Sequence, residues 1–405
     1  MNDDTPYLEG IRVLDFTQYL AGPACTRLLA EMGAEVIKVE MAPYGDLTRT
    51  TDPRINRRSG FFVQQNRGKR SLCVDLTKPE GVALVKELVP HVDIVVENYS
   101  AGVMTRRGMD YEALSQINPK LIMCSVTGFG QTGPLSHKTA YDFIAQAYSG
   151  TMHMTGDPDG PPYFVGHGLG DTNAGFHAFA AIGYALYRRD RTGRGCQLDI
   201  SMVDALFHMQ EMGVHAASMT GGDYVPMRTG RDYQPVSPAG SFRGPQGWIV
   251  ILCSHLQMPA LWRAIGRPDL AEDPRFRGNR ERVANRAALT EIIETWMAGF
   301  DTDEEVLAAL EAERVPCGPV LSPADALDHP YFVERGMVRE VTDPLAGTFK
   351  IPGFPLKFSD MPPAGDLPTP NLGQHNREVL AELLGLDDAK LDELEAAGLL
   401  ASKDR

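Results

Sequence analysis

No run of apolar residues in this chain of 405 approaches the ~18 that a membrane-spanning helix needs. Cysteine is sparse and scattered. Cys25, Cys73, Cys124, Cys196, Cys253 and Cys317 show no Cys-x-x-Cys spacing. That argues against a structural zinc site or a disulfide framework and favours a reducing compartment, the cytoplasm. No cluster of His, Cys, Asp and Glu has metal-ligand spacing, so no metal is expected. Basic charge is in deficit. With 39 Lys and Arg against 53 Asp and Glu, the net charge is −14. A nucleic-acid or anionic-membrane surface needs the opposite field. The opening residues, Met1 to Pro6, carry neither the basic nor the apolar stretch of a secretory leader.

What is present is an ordinary globular composition, 43% hydrophobic and 23% charged, on a length suited to two or three domains. One stretch opposes the acidic balance. Arg49, Arg54, Arg57, Arg58, Arg67, Lys69 and Arg70 are opposed only by Asp52. Such an island suits either the phosphates of a small polyanion or a solvated loop.

Strand-like and helix-like segments alternate through the first half. Ile11–Phe16, Ala34–Glu40, Ser71–Asp75, Asp93–Glu97, Leu121–Val126 and Gln197–Ser201 read as strands. Helices are expected near Ala24–Met32, over Val82–Val89 and around Ala113-Leu114, with Thr77-Lys-Pro-Glu80 as a capping box before the second. This alternation predicts an α/β fold with a mainly parallel sheet. One helix is expected over Val203–Met219, carrying His208 and His215 at a spacing of seven. The Gly- and Pro-rich stretch Thr220–Pro245 reads as a linker or active-site loop. A strand at Trp248–Cys253 and a charged helical region from Leu261 to Glu334 follow, then a strand near Thr348–Ile351 and two last helices. The expected division is a large domain over 1–220, a small one with its linker over 221–330, and a return to the large domain over 331–405.

Asp171 is the most telling residue. It sits in Gly166-His-Gly-Leu-Gly-Asp-Thr-Asn-Ala-Gly175, where a glycine loop enters a helix expected from Phe176. Three glycines permit positive φ and close approach, and the helix N-terminus favours a carboxylate. An ionised, held carboxylate meets the needs of a covalent nucleophile. An Asp before a helix is also an ordinary N-cap. His167 lies close enough in sequence to orient or protonate an intermediate, or is simply a loop residue.

Gly128-Phe-Gly-Gln-Thr-Gly133 has the glycine spacing of a dinucleotide loop but runs straight into Pro134, so it reads as a tight turn. Cys253-Ser-His255 lacks an orienting partner for a Cys–His dyad. His208 and His215 read as a packed helix face, and Met209, Met212 and Met219 as core or cleft wall.

Together these segments resemble the class III CoA-transferase family. The resemblance rests on Leu14-Asp-Phe-Thr17 with Ala21-Gly-Pro23, Gly33–Glu40, Asn66–Ser71, Val96-Glu-Asn98, Gly128–Pro134, Tyr141–Ala147, Gly170-Asp171 and Arg191–Gly195. It implies a Rossmann-like large domain, a smaller α+β domain, and two identical subunits interlocked as linked rings. It implies that Asp171 attacks an acyl-CoA thioester and then carries CoA as an aspartyl thioester before a small carboxylic acid collects it. Loop amides would stabilise the oxyanions. CoA contacts are implied at Leu20 and Ala21, at Val74, Asp75, Leu76 and Thr77, at Asn98 and Tyr99, at Arg106, and at Lys138, Thr139, Ala140 and Tyr141. Asp142, His167 and Gly168 would lie beside the acyl group. Leu20 stands where formyl-CoA transferases carry a glutamine, and Met41 where they carry a phosphate-binding arginine, so formate–oxalate exchange is not expected. The alternative in the same superfamily is an α-methylacyl-CoA racemase. That chemistry needs a His base where Tyr141 stands.

Overall fold

A computed structural model describes residues 5–361, 365 and 367–402. Six strands form one parallel sheet: β1 (Arg12–Asp15), β2 (Glu35–Met41), β3 (Lys69–Val74), β4 (Ile94–Glu97), β5 (Ile122–Thr127) and β6 (Cys196–Ser201). Their spatial order is β3-β2-β1-β4-β5-β6. Strands β4 and β5 are buried throughout, as a sheet covered on both faces requires. Alternate residues feed two cores. Leu14, Ile37, Leu72, Val95 and Met123 face one side, and Val13, Val36, Ile94, Val96 and Ile122 the other.

Helices α1 (Ala21–Glu31), α5 (Leu169–Thr192) and α6 (Met202–His208) cover the second face. Helices α2 (Pro79–Glu87), α3 (Tyr111–Ile117), α7 (Asn376–Leu384) and α8 (Asp388–Ala396) cover the first. The short helix α4 (Asp142–Tyr148) precedes α5. The strand order reverses between β1 and β4, so the connections after these two strands diverge to opposite faces and leave a crevice at their carboxyl ends.

The chain divides into two compact units. One comprises 1–149, 165–210 and 330–405, and the other 150–164 and 211–329. The region expected as one domain over 1–220 thus gives 150–164 and 211–220 to the second unit. That unit has a three-stranded antiparallel sheet in the order Cys317–Pro319, Trp248–Leu252, Ala239–Arg243. Helices including Met258–Ala264, Arg286–Met297 and Asp303–Ala312 pack on it around Phe242, Ile249, Trp262 and Leu310. Cys253 is buried in that core, and burial pushes its thiol up to about 12, the range of an inert packing residue.

Three local expectations are corrected. Thr77 makes no capping box, because its hydroxyl and N–H both donate to Asp75, and Lys78 is the cap residue of α2. The helix expected over Val203–Met219 is two, ending at His208 and restarting at Gly213, a residue that weakens a helix interior by about 1 kcal/mol. His208 and His215 therefore share no helix face. The basic island is not a free anion site. Arg49 pairs with Glu40 at 2.6 Å, Arg58 with Asp343 at 2.9 Å and Lys69 with Asp15 at 2.9 Å. Arg54 pairs with Asp52, Arg67 with Glu31, and Arg70 with Glu35, Glu378 and Glu382. Apart from Asp52, the carboxylates come from outside the segment and are supplied by folding.

Candidate active site

The loop between β1 and α1 is fixed at every turn. The Asn98 side chain donates to the Gln18 carbonyl and accepts its N–H, both at 2.8 Å. Lys38 donates to the Thr17 carbonyl at 2.6 Å and pairs with Asp46 at 2.9 Å. Asp15 accepts the Thr17 hydroxyl and N–H. Burial alone would push Asp15 up, but Lys69 and Lys38 outweigh it and hold the carboxyl at about 2. Tyr19 is thereby held in the left-handed region, at φ 61°.

This loop is one wall of a cleft of about 430 Å³ at the reversal point. Nine residues expected in the site come together there: Leu20, Ala21, Asn98, Tyr99, Lys138, Thr139, Ala140, Tyr141 and Asp171. Gln18, Tyr19, Ser100, Phe129, Ser136 and Met202 line it as well and were not anticipated. Their signal was position, since each lies in or beside a segment following a sheet strand. Tyr19 and Tyr141 meet edge to face at 6.1 Å. Among the lining residues Asp171 is the one acid and Lys138 the one cation, and there is no histidine.

The other expected contacts lie elsewhere. Val74 and Leu76 are buried in the core, and Asp75 and Thr77 hydrogen-bond each other at the end of β3. Arg106 is exposed on the short helix Val103–Arg106, and His167 is exposed in its loop. Gly168 abuts the site. A Cβ there would come within 2.5 Å of Leu20 and 3.6 Å of the Asp171 carboxylate.

Helix α5 starts at Leu169, seven residues earlier than expected, so Asp171 is its third residue and not its cap. Gly166, Gly168 and Gly170 do not use positive φ. Gly170 provides clearance instead, since a Cβ would press on Asp142 and Leu206, each at 3.1 Å. The cap comes from α4. Asp142 Oδ1 accepts the N–H groups of Gly170 at 2.5 Å and Asp171 at 3.2 Å, while Oδ2 accepts from Gln146 at 2.6 Å. Gln146 in turn accepts the Val165 N–H at 2.9 Å. Gly170 and Asp171 therefore have their amides engaged by Asp142, which takes these two out of the oxyanion role expected of the loop amides. Asp171 is not the fully ionised carboxylate expected either. Burial first, and the charge of Asp142 second, raise it to about 7.

The sequence profile of CoA-transferase family III matches residues 8–376. The chain belongs to that family. It is 36% identical over 400 residues to the mouse (Mus musculus) succinyl-CoA:glutarate CoA-transferase, covering 98% of this chain and 91% of that protein. It is 37% identical to the succinyl-CoA–D-citramalate CoA-transferase of Chloroflexus aurantiacus, covering 96% and 97%. A crystal structure of a CaiB/BaiF family protein from Brucella suis superposes with a TM-score of 0.83 at 35% identity, over 94% of this chain and all of that one. This protein is a class III CoA-transferase with the family's mixed α/β fold.

Proposed function

We propose that this CoA-transferase moves CoA from an acyl-CoA to a free carboxylic acid through an aspartyl-CoA thioester on Asp171. The observation that carries the reading is the position of Asp171, the sole carboxylate lining a cleft at the sheet's reversal point. Its Oδ attacks the thioester carbonyl, the C–S bond breaks, and CoA leaves as thiolate from a mixed anhydride. The thiolate then attacks the Asp171 carbonyl carbon and releases the donor acid. An acceptor carboxylate repeats both steps in reverse, and Asp171 is regenerated. Asp142 holds the helix start from behind. The chain supplies no histidine at Tyr141 for the racemase reaction. Both named relatives draw CoA from a succinyl donor, and succinyl-CoA with a small dicarboxylate acceptor is the pair we assign here.

Incubation with succinyl-CoA and a panel of C4–C6 dicarboxylates yields new CoA esters, followed by chromatography. Hydroxylamine quenching during turnover marks Asp171 as a hydroxamate in the tryptic map. Turnover that leaves Asp171 unmodified, with the label elsewhere, overturns the covalent route.

The working form is a homodimer with interlocked subunits. Helix α5 exposes Phe176, Tyr184 and Tyr187, and α4 exposes Phe143, Ile144 and Tyr148. Apolar and aromatic side chains this exposed along adjoining helices suit a subunit interface. Sedimentation velocity gives a dimer for the wild type that persists on dilution, because linked rings do not part while folded. A monomeric wild type at micromolar concentration rejects the assembly.

A further inference from the structure

Glu97 ends β4 with 2% of its surface exposed, and among the described residues the groups that act on it are Ser125, Tyr99 and Asp199, none of them a cation. Parallel register sets it beside Ser125 of β5, and Ser125 beside Asp199 of β6. Three polar side chains so placed share the face of Val95 and Met123 at the carboxyl end of the sheet.

Gln131 joins the two ends of this row. Its backbone N–H donates to both Asp199 oxygens, at 3.0 and 2.9 Å, and its Nε2 donates to Glu97 Oε1 at 3.3 Å. Glu97 Oε2 accepts the N–H of Tyr99 at 2.8 Å. The turn is shaped to this contact. Gly130 sits at φ 85°, its N–H donates to Thr127 Oγ1 at 2.9 Å, and a Cβ would lie 3.4 Å from Asp199. Gly128 lies so close to Ala140 that a Cβ would approach within 2.5 Å. The glycine pattern that imitates a dinucleotide loop thus builds the cleft wall of Thr127, Gly128 and Phe129, while Tyr99 stands on the neighbouring strand's connection.

We propose that Glu97 is a positioning residue whose carboxyl oxygens, accepting from Tyr99 and Gln131, tie the Tyr99 wall of the cleft to the glycine turn, and whose ionisation tightens that tie. The proposal rests on the reading of the cleft as the CoA site. Burial first, with Asp199 adding to it, pushes the Glu97 carboxyl up to about 7 against the Ser125 and Tyr99 hydrogen bonds. The groups facing it are Asp199, Ser125, the buried Cys124 thiol, the Gln131 amide and Tyr99, with the Arg107 guanidinium 5.4 Å above the Tyr99 ring. Once Glu97 ionises, the bonds it accepts from Tyr99 and Gln131 become charge-assisted and strengthen.

The test measures free CoA binding by calorimetry in an Asp171→Asn background, which removes the titration of Asp171. Between about pH 6 and about pH 8.5, CoA affinity with Glu97 intact rises about fivefold relative to Glu97→Gln, whose slope lacks the titration of Glu97. Glu97→Ala weakens binding at both pH values. Equal slopes with and without Glu97→Gln overturn the proposal. A Lys138→Ala arm separates the two readings. If it weakens CoA while the slopes stay equal, only the role of Glu97 fails; if it and both Glu97 variants leave affinity unchanged, the cleft is not the CoA site.

Discussion

Asp171→Ala lowers kcat for CoA transfer by at least about 10³-fold while the protein keeps its fold. The fold survives because the start of α5 is capped by Asp142, not by the side chain that is removed. Alanine at the third helical position has high helix propensity, and the lost carboxylate–dipole attraction is only about 0.3–1 kcal/mol. The pH profile is part of the same result. Asp171 is raised to about 7, so its nucleophilic, ionised form grows as pH rises, and kcat/KM climbs through about pH 7. Stability runs the other way. A carboxyl raised in the folded state gives stability that is full below the ordinary carboxylate pKa and is lost as pH rises through about 7. Asp171→Ala removes that loss. Asp142→Asn keeps a carbonyl acceptor for the two amides but deletes a negative charge, so the acid limb of kcat/KM moves to lower pH. An acid limb in Asp142→Asn that coincides with the wild type means Asp142 does not tune the nucleophile. Near-normal transfer by Asp171→Ala sinks the mechanism itself.

The parallel sheet was legible because its strands carry their own signal, short apolar runs separated by helical patterns. Asp171 was legible as a special carboxylate, yet its surroundings were not. The residue that caps α5 lies 29 positions earlier, on another helix, and no local pattern links Asp142 to Gly170. The charge state was misread for the same reason, since burial and a like charge arrive only with tertiary structure. The basic island failed likewise. Its partners Glu31, Glu35, Glu40, Asp343 and Glu378 come from both ends of the chain and reach it only through strand pairing and the returning C-terminal segment. Local rules erred where a tertiary contact outweighed them, as at Thr77, whose hydroxyl serves Asp75 instead of a cap.

Gly175→Val destabilises the protein and slows it far more than its distance from the chemistry suggests. Gly175 lies on α5 where that helix crosses α1, and a Cβ there would stand 2.6 Å from the Ala21 carbonyl oxygen and 2.9 Å from Ala24. Neither contact is the free end of a flexible side chain, so one helix must move. Overpacking of this kind costs about 1–3 kcal/mol, and two rigid helices place the cost toward the upper end. The displacement reaches the site directly. Ala21 begins α1 and lines the cleft with Leu20, while Asp171 sits one turn before Gly175. A shift of about 1 Å between the acyl group and its nucleophile is enough for a loss of about 10²-fold in kcat. Gly183 on the same helix is the control, because nothing of its own subunit lies within 4 Å of a Cβ there. Gly183→Ala should raise stability by about 0.5–1 kcal/mol and leave turnover unchanged. Denaturant melts read the first effect of each variant, and single-turnover rates with succinyl-CoA read the second. If Gly175→Val melts and turns over like Gly183→Ala, the close crossing of α1 and α5 is not what holds Asp171 against the cleft.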